Sequence, residues 1–340
     1  MRTLLRSSLF FLIAFAAVAL LFDGLFTRYV IFKLDHSNQG KVRRLFESTD
    51  PNEIAVFGSS KARSAFIPDS LGSGVYNYAM EKCNFDVIEF LLEMELGKPR
   101  TSAVVVEFNH RFFVHFPQHT VNAATFVPNI DLPGVEDYLK RMGRWELRYD
   151  LPGVRYYGSY QDYLRYTARE KNSKNKQLVR GAMLMDLVPS KEVFANQLAA
   201  RYIDIAKHKA IMAKLDDPRK AVTVDERRAL RGSELQLLFT GPADRIARFE
   251  ELVASRPDRP VLLVYTPQHA SEMAGIANYA EIQALFAALE SRHPNLHVYN
   301  YSRMPLPDDH FKNSSHLNNA GARAFCTAFR RDAGVFLGPR

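Results

Sequence analysis

Two short segments near opposite ends of the chain carry residue types that could act as a nucleophile and its base. A Gly-Ser-Ser turn ending at Ser60 follows the strand-like run Ile54–Phe57, and His316 precedes a helix-like stretch near the C-terminus. A serine hydroxyl is a weak nucleophile until a base takes its proton. A turn after a buried strand presents its side chain at the carboxyl edge of a sheet, where ligands of α/β folds bind. The order of these segments therefore predicts Ser60 as a nucleophile and His316 as its base, meeting across an α/β sheet.

Both residues also have structural interpretations. Ser60 lies where a serine often caps the N-terminus of a helix, and a histidine near a helix N-terminus can serve for capping or packing. The residues after His316 favour the base, because Leu317, Asn318 and the later Gly321 place the imidazole in a loop beside the sheet edge.

Together the two segments resemble the SGNH (GDSL-like) hydrolases and acyltransferases. In that family the nucleophile is the third residue of a Gly-Asp-Ser-type turn, which corresponds to Ser60, and the base ends a late Asp-x-x-His block, which corresponds to His316. The family's histidine is followed by Leu-Asn, two residues and Gly, as in this chain. The stretch Lys61–Pro68 is similar to the sequence after the nucleophile in the membrane-linked subgroup. The resemblance implies an SGNH-like α/β fold and an acyl-enzyme at Ser60.

The third member of the implied triad departs from the family pattern. The aspartate position of the late block is Asn313, which can orient the histidine ring but adds no negative charge. Three outcomes are open: Asn313 orients His316 in a slower enzyme, Asp308 or Asp309 supplies the carboxylate from the preceding loop, or the site is inactive. We expect some retained activity, because the serine and the histidine are both present.

The resemblance also implies an oxyanion hole made by the backbone N–H of Ser60 and the side chain of Asn109. Asn109 follows the strand-like run Ala103–Phe108, where an ordinary turn asparagine is the alternative. The glycine that the family carries in a second block has no counterpart in Tyr76–Lys82.

No metal or cofactor site is predicted. His115 and His119 are one helical turn apart, but no third ligand is specified, so we interpret them as surface or packing residues. Cys83 and Cys326 are far apart and fit neither a Cys-x-x-Cys motif nor a metal-ligand spacing. Buried thiols are the expectation for both.

Composition places the chain among globular proteins and limits its partners. Its 340 residues are 47% hydrophobic and 24% charged, which excludes disorder and suffices for one large α/β domain with additions. The net charge of +8 comes from scattered Lys and Arg, without a nucleic-acid motif that interleaves aromatic residues. We therefore expect an anionic membrane surface or an anionic glycan, and no nucleic acid, as the partner of this charge.

The N-terminal segment is predicted to cross a membrane. Leu4 to Phe26, at about 1.5 Å per residue, can cross a bilayer core of about 30 Å. A cleaved signal peptide is the alternative, because small residues are correctly spaced at Ala17 and Ala19, but the apolar run continues past them. An uncleaved signal anchor and juxtamembrane segment over residues 1–35 is preferred. Charge counts do not decide the orientation, and the very short N-terminal flank and the family resemblance place residues 36–340 in the periplasm or cell exterior.

Alternating strand and helix patterns predict a doubly wound α/β sandwich with a mainly parallel central sheet. The strand candidates are short apolar runs, three of them rich in β-branched residues: Glu53–Phe57, Ala103–Phe108, Val261–Tyr265 and Leu296–Tyr299. The helix candidates have apolar residues at helical spacing: Asp86–Leu96, Ala243–Ser255, Tyr279–Arg292 and Asn318–Phe329. A short helix is also expected in the connector between Lys33 and Asp50.

Residues from about 117 to 240 break this alternation and are predicted to form an insertion in the domain. They include the Tyr-rich stretch Tyr156–Tyr163, the basic stretch Lys171–Lys176 and helical patches around Val193–Lys214. Packing and solvated charge is the preferred interpretation. A substrate groove, in which tyrosines stack on sugars and basic residues pair with carboxylates, is the alternative.

The anchor and the resemblance together imply an extracytoplasmic O-acyltransferase of the DltD-like or alginate-acetylation-like subgroup. Its partner would be a polytopic membrane-bound O-acyltransferase that supplies acyl groups, with acetyl as the expected group. Its acceptor would be an exported cell-envelope polysaccharide or a teichoic-acid-like polymer. Two alternatives remain open: a carbohydrate esterase that uses the same residues, and a non-catalytic scaffold of an envelope polysaccharide complex.

Overall fold

A computed structural model describes residues 2–33, 36–113, 122–161, 163–164, 176–185, 201–203, 207, 210–211, 213–214, 221–226, 233–235, 239–241 and 243–338. The predicted packing histidines His115 and His119 lie outside the described residues, as do nearly all of Lys171–Lys176 and most of Val193–Lys214.

The helices of the described residues are α1 (Arg2–Phe26), α2 (Asn38–Glu47), α3 (Ser60–Ala65), α4 (Pro68–Leu71), α5 (Phe85–Leu96), α6 (Ala123–Phe126), α7 (Val135–Arg141), α8 (Ala243–Ala254), α9 (Ala270–Ala274), α10 (Tyr279–Arg292) and α11 (Asn319–Ala333). A π-helical turn, Thr27–Ile31, continues α1, and short 3₁₀ turns span His110–Phe113, Val127–Asn129, Leu147–Asp150 and Asp308–His310. The four predicted helices of the α/β pattern and the connector helix are confirmed.

The strands are β1 (Ile54–Phe57), β2 (Val75–Asn77), β3 (Val104–Glu107), β4 (Lys176–Val179), β5 (Ala182–Met185), β6 (Arg201–Ile203), β7 (Ser233–Leu235), β8 (Val261–Tyr265), β9 (Leu296–Asn300), β10 (Phe311–Asn313) and β11 (His316–Leu317). All four predicted strands are present. β2 was not predicted, because three residues are too few to show the alternation of apolar and polar residues that is typical of a strand.

Five parallel strands form the central sheet in the order β2-β1-β3-β8-β9. The predicted α/β architecture with a mainly parallel sheet is confirmed at this level. The chain moves from β1 outward to β2 and then returns to the other side of β1 for β3, so the strand order reverses between β1 and β3. In doubly wound sheets the crevice at such a reversal, at the carboxyl ends of the strands, is the usual ligand site.

The core beside this sheet is built from apolar side chains of the strands and of α3 and α11. Phe66, at the end of α3, packs edge-to-face on Phe325 and Phe329 of α11 at centroid distances of 5.1 and 5.6 Å. Both cysteines are buried free thiols, as predicted. Burial raises the pKa of the Cys326 thiol to about 12, which keeps it protonated.

The contacts between residues divide the chain into two compact units. One contains residues 1–49 and 121–174, and the other contains residues 50–120 and 175–340. The boundary at residue 36 and the insertion over about 117–240 stay predictions. Residues 121–174 cluster with the N-terminal segment, whereas the later part of the predicted insertion clusters with the sheet.

The first unit is organised around the C-terminal end of α1. Phe26 is buried against Tyr156 and Tyr163, with ring centroids 5.4 and 6.3 Å away. The packing interpretation of the Tyr-rich stretch is therefore confirmed for these residues. Within the described part of the chain, one helical segment, Arg6–Ile31, is long and apolar enough to cross a membrane.

Candidate active site

Ser60 is the first residue of α3, directly after the tight turn that leaves β1. Gly58 makes this turn possible, because an added Cβ would lie 2.5 Å from Cβ of Ala62 and 2.6 Å from Cβ of Glu107. Ser59 caps the helix and accepts a hydrogen bond from the N–H of Lys61 at 3.2 Å. The helix-cap role that was the alternative for Ser60 thus belongs to Ser59, and the hydroxyl of Ser60 is left at the carboxyl edge of β1.

His316 is presented by the antiparallel pair β10–β11, where the sequence predicts a loop. The turn between these strands is closed by Asn313, whose Oδ1 accepts hydrogen bonds from the backbone N–H groups of Ser315 at 3.1 Å and His316 at 3.0 Å. Asn318 then caps α11 by accepting from the N–H of Gly321 at 3.1 Å. The Leu-Asn-x-x-Gly pattern after the histidine therefore marks the start of the last helix.

The structure brings Ser60, His316 and Asn313 into one hydrogen-bonded chain. His316 Nε2 lies 2.8 Å from Ser60 Oγ, and His316 Nδ1 lies 2.9 Å from Asn313 Oδ1. The two backbone donors require the oxygen end of the Asn313 amide to face the ring, since an NH₂ group could not accept from them. Asn313 therefore accepts from Nδ1–H, and the lone pair of Nε2 is left to accept the Ser60 proton.

Burial, together with the positive charges of Lys61 and Lys312, lowers the pKa of His316 to about 4. The imidazole is consequently neutral at pH 7, the state in which a histidine can accept a proton. The same pKa makes it a weaker base than an ordinary histidine, because no carboxylate touches the ring to stabilise the imidazolium.

The two aspartates that were alternative acids lie elsewhere. Asp308 Oδ1 is 3.1 Å from Nε2 of His269, so its carboxylate pairs with a different imidazole. Asp309 contributes its backbone carbonyl, which accepts from the side-chain amide of Asn318 at 2.5 Å. Of the three residues considered as partners of His316, Asn313 is the one whose side chain contacts its ring.

Asn109 follows β3, the strand beside β1, and is buried at the same edge of the sheet. Its Oδ1 accepts from the N–H of Arg111 at 3.1 Å, and its Nδ2 donates to Ser59 Oγ at 3.2 Å. One N–H of the amide is thus used, and the second is available for an oxygen in the cavity. The N–H of Ser60 lies in the first turn of α3, where helix geometry supplies no acceptor. Both predicted oxyanion donors therefore flank the reversal point of the sheet.

The buried carboxylate of Glu107 binds the turn that precedes Ser60. Glu107, the last residue of β3, accepts from the backbone N–H of Ser59 at 2.6 Å and from its hydroxyl at 2.8 Å. Burial raises the pKa of Glu107, with Lys61 acting against it. Glu107 was not among the predicted site residues. A glutamate at the end of the apolar strand Val104–Glu107 could have indicated a buried carboxylate at the sheet edge.

A second buried network adjoins the site. Lys61 Nζ donates to Gln268 Oε1 at 2.6 Å and lies 3.4 Å from Glu272 Oε1. Arg111 makes a bidentate pair with Glu272 at 2.7 and 2.8 Å. Burial lowers the pKa of Lys61, whereas in Glu272 the effect of burial is outweighed by Lys61, His110 and Arg111, which lower its pKa. No local sequence pattern marks this network, because its members lie on α3, after β3, after β8 and on α9.

A cavity of about 200 Å³ opens in front of Ser60, and Asn109 and His316 also line it. Four basic side chains line the same cavity: Lys61, Lys82, Arg111 and Arg245. Lys82 is exposed at the rim in a left-handed conformation with φ of 54°, which is uncommon for a residue other than glycine. Within the described residues, no group of three or more His, Cys, Asp or Glu side chains could hold a metal ion.

The arrangement is chemically suited to move a proton from a serine hydroxyl to a neutral imidazole beside two oxyanion donors. No protein-family model matches this chain, and no curated protein sequence matches it either.

Proposed function

We propose that this chain is an SGNH-type serine O-acyltransferase that transfers acetyl groups to an exported cell-envelope polysaccharide or a similar polymer. The observation that carries the proposal is the hydrogen-bonded chain from Ser60 through His316 to Asn313, at the carboxyl edge of a doubly wound sheet. Neither helix capping by Ser60 nor packing of His316 requires the two side chains to be in contact. The observed 2.8 Å between His316 Nε2 and Ser60 Oγ, with the lone pair of the ring nitrogen facing the hydroxyl, is instead what proton transfer requires.

The proposed reaction has two halves. Ser60 Oγ attacks the acyl carbonyl while His316 Nε2 takes the hydroxyl proton, and the oxyanion faces the N–H of Ser60 and Asn109. When the tetrahedral species collapses, the bond to the leaving group breaks and the leaving oxygen receives the proton from His316. An acceptor hydroxyl then gives its proton to His316, attacks the acyl-enzyme and releases Ser60, which regains its proton.

Two further observations support the substrate class and the location. Lys82, exposed at the rim of the cavity, and Arg245 favour an anionic polymer, since Lys and Arg pair with carboxylates and phosphates, whereas Lys61 and Arg111 already pair with Glu272. The apolar segment Arg6–Ile31 supports a membrane tether. In this proposal the catalytic domain lies in the periplasm or cell exterior. A polytopic membrane-bound O-acyltransferase is the proposed acyl donor in this arrangement.

The test is acylation of the full-length protein, in detergent or nanodiscs, by an activated acetyl ester. Intact mass spectrometry and acetate release would be measured for the native chain, Ser60→Ala and His316→Ala. We expect one acetyl group on the native chain and none on Ser60→Ala. Ser64→Ala is the matched control, because it removes a hydroxyl from the same helix whose bonds go only to the carbonyls of Ser60 and Lys61.

The fate of the acetyl group separates the alternatives. Transfer of the acetyl group to an added anionic glycan supports the transferase. Release of the acetyl group to water, whichever acceptor is added, supports a carbohydrate esterase. Absence of Ser60-dependent acylation, also in the presence of the membrane partner, would refute the enzyme and leave a non-catalytic scaffold.

A further inference from the structure

The stretch 145–164 of the first unit runs alongside the C-terminal half of α1. The N–H of Gly153 donates to Asp23 Oδ1 at 2.9 Å, and Arg155 pairs with Asp23 Oδ2 at 3.0 Å. Gly153, with φ of +80°, approaches the helix so closely that an added Cβ would lie 3.0 Å from Cβ of Ala19. Further along, Tyr156 shares a hydrogen bond of 2.6 Å with Thr27. The stretch is therefore attached to α1 at several successive levels.

These attachment points lie within the apolar part of the helix. The apolar segment ends at Ile31, twelve residues after Ala19. Twelve residues of helix are roughly 18 Å long, which is more than half the thickness of a bilayer core of about 30 Å. Beside the covered positions the helix remains apolar and exposed at Leu20, Leu21, Phe22 and Leu25. If α1 crosses a bilayer, lipid must cover those side chains, and it then also surrounds the stretch packed against the helix at the same level.

The outer surface of the stretch has the composition that such a position requires. Its exposed apolar side chains are Leu147 (76% exposed), Leu151 (52%), Val154 (45%), Tyr157 (70%) and Leu164 (51%).

Basic residues accompany this apolar surface. Between residues 140 and 157 there are five basic side chains and two acidic ones, and the single tryptophan of the chain, Trp145, lies among them. Three of the basic side chains form ion pairs: Lys140 with Glu136, Arg148 with Glu146 and Arg155 with Asp23. Lys140 lies over the ring of Trp145 at 5.1 Å. Exposed leucines beside Trp and a surplus of Lys and Arg are the features of segments that lie in the interface of a bilayer with anionic lipids.

We propose that residues 145–164 form a membrane-docking surface, which inserts Leu147, Leu151, Val154 and Tyr157 into the headgroup–acyl boundary of the leaflet that holds the C-terminal half of α1. The buried pair of Asp23 and Arg155 keeps the charge of Asp23 compensated at this depth, with side-chain exposures of 8% and 17%. The proposal depends on α1 crossing the bilayer and is independent of any chemistry at Ser60.

The test uses the full-length chain in nanodiscs of phosphatidylcholine and phosphatidylglycerol, with an environment-sensitive NBD fluorophore on single introduced cysteines. The test positions are Leu151→Cys and Tyr157→Cys. Leu9→Cys, on the exposed surface of α1, is the bilayer control, and Val335→Cys, which is 86% exposed, is the aqueous control. The buried native thiols make the unsubstituted chain the blank for background labelling.

We expect blue-shifted emission and quenching by spin-labelled lipids at positions 9, 151 and 157, and aqueous emission quenched by iodide at position 335. In the unlabelled native chain, brominated lipids should quench Trp145, which tests the surface without any substitution.

Aqueous emission at 151 and 157, together with a lipid signal at 9, would overturn the docking surface while leaving the membrane span intact. An aqueous signal at position 9 as well would overturn both. Shielding at 151 that appears only with two chains in each nanodisc, without lipid quenching, would assign the surface to a second copy and refute the proposal.

Discussion

At the scale of single residues, the most consequential side chain is Asn313. In chymotrypsin-like proteases, replacing the triad aspartate by asparagine lowers turnover by about 10⁴, because the amide selects the wrong histidine tautomer. Here two backbone N–H groups hold Oδ1 of Asn313 toward His316, so the productive tautomer is retained. What the asparagine lacks is negative charge.

Replacing Asn313 by aspartate should therefore have a moderate effect on the acylation rate. We expect Asn313→Asp to raise the pKa of His316 and to increase the rate of Ser60 acylation by about tenfold, not by about 10⁴, because only the charge is restored. Burst kinetics with an activated ester measure this rate. A gain near 10⁴ would show that the native amide holds the wrong tautomer, and a loss of rate would show that the carboxylate disturbs the turn.

The pH dependence of acylation reports on the same histidine. Because burial and nearby cations lower the pKa of His316 to about 4, the rate should stay nearly constant from neutral pH down to about pH 5 and reach half its maximum near pH 4. Asn313→Asp should move this midpoint to higher pH. Single-turnover acylation over this range provides the measurement, and a native midpoint near 6.5 would contradict the described environment of the ring.

At the scale of elements, the turn between β1 and α3 determines where the nucleophile lies. Gly58→Ala should destabilise the protein by roughly 1–3 kcal/mol, because the added methyl group meets Ala62 and Glu107 at a point that cannot yield without moving the turn. Acylation at Ser60 should fall as well. Chemical unfolding and burst kinetics measure the two effects.

Gly97→Ala is the matched control for this turn. Its added methyl group would lie 3.5 Å from the nearest atom, a helix carbonyl, so we expect little change in stability and none in acylation. Equal effects of the two substitutions would argue against close packing at Gly58.

At the scale of the whole molecule, a second buried histidine couples folding to pH. His110 is completely buried, with Nδ1 2.6 Å from the hydroxyl of Tyr265, and burial together with Lys61 lowers its pKa to about 4. Between about pH 6.5 and pH 4 the unfolded chain binds a proton at this residue that the folded chain does not. The free energy of unfolding should therefore decrease as the pH falls through this range, with roughly 3 kcal/mol from His110 alone.

Urea unfolding at several pH values measures this dependence. His110→Gln should reduce the slope of unfolding free energy against pH between 4 and 6.5, whatever its effect on stability at pH 7. An unchanged slope in His110→Gln would show that the folded and unfolded chains bind a proton at His110 to the same extent over this pH range.

The sequence by itself determined the main strands and helices around the candidate site and the order of its residues. Buried parallel strands are continuous apolar runs and helices repeat every 3.6 residues, so β1, β3 and β8 could be predicted from these patterns. Because parallel strands share a carboxyl edge, the position of Ser60 after β1 and of Asn109 after β3 followed from the same patterns.

Only the tertiary structure decided which partners these side chains have. The pairing of Asp308 with His269 and the contacts of Lys61 with Gln268 and Glu272 are set by how segments that are distant in sequence meet at the sheet edge. The attachment of residues 145–164 to α1 is of the same kind. Periodic patterns record how deeply a residue is buried, whereas these hydrogen bonds and ion pairs join side chains that are 39 to 211 residues apart, for which no local pattern exists.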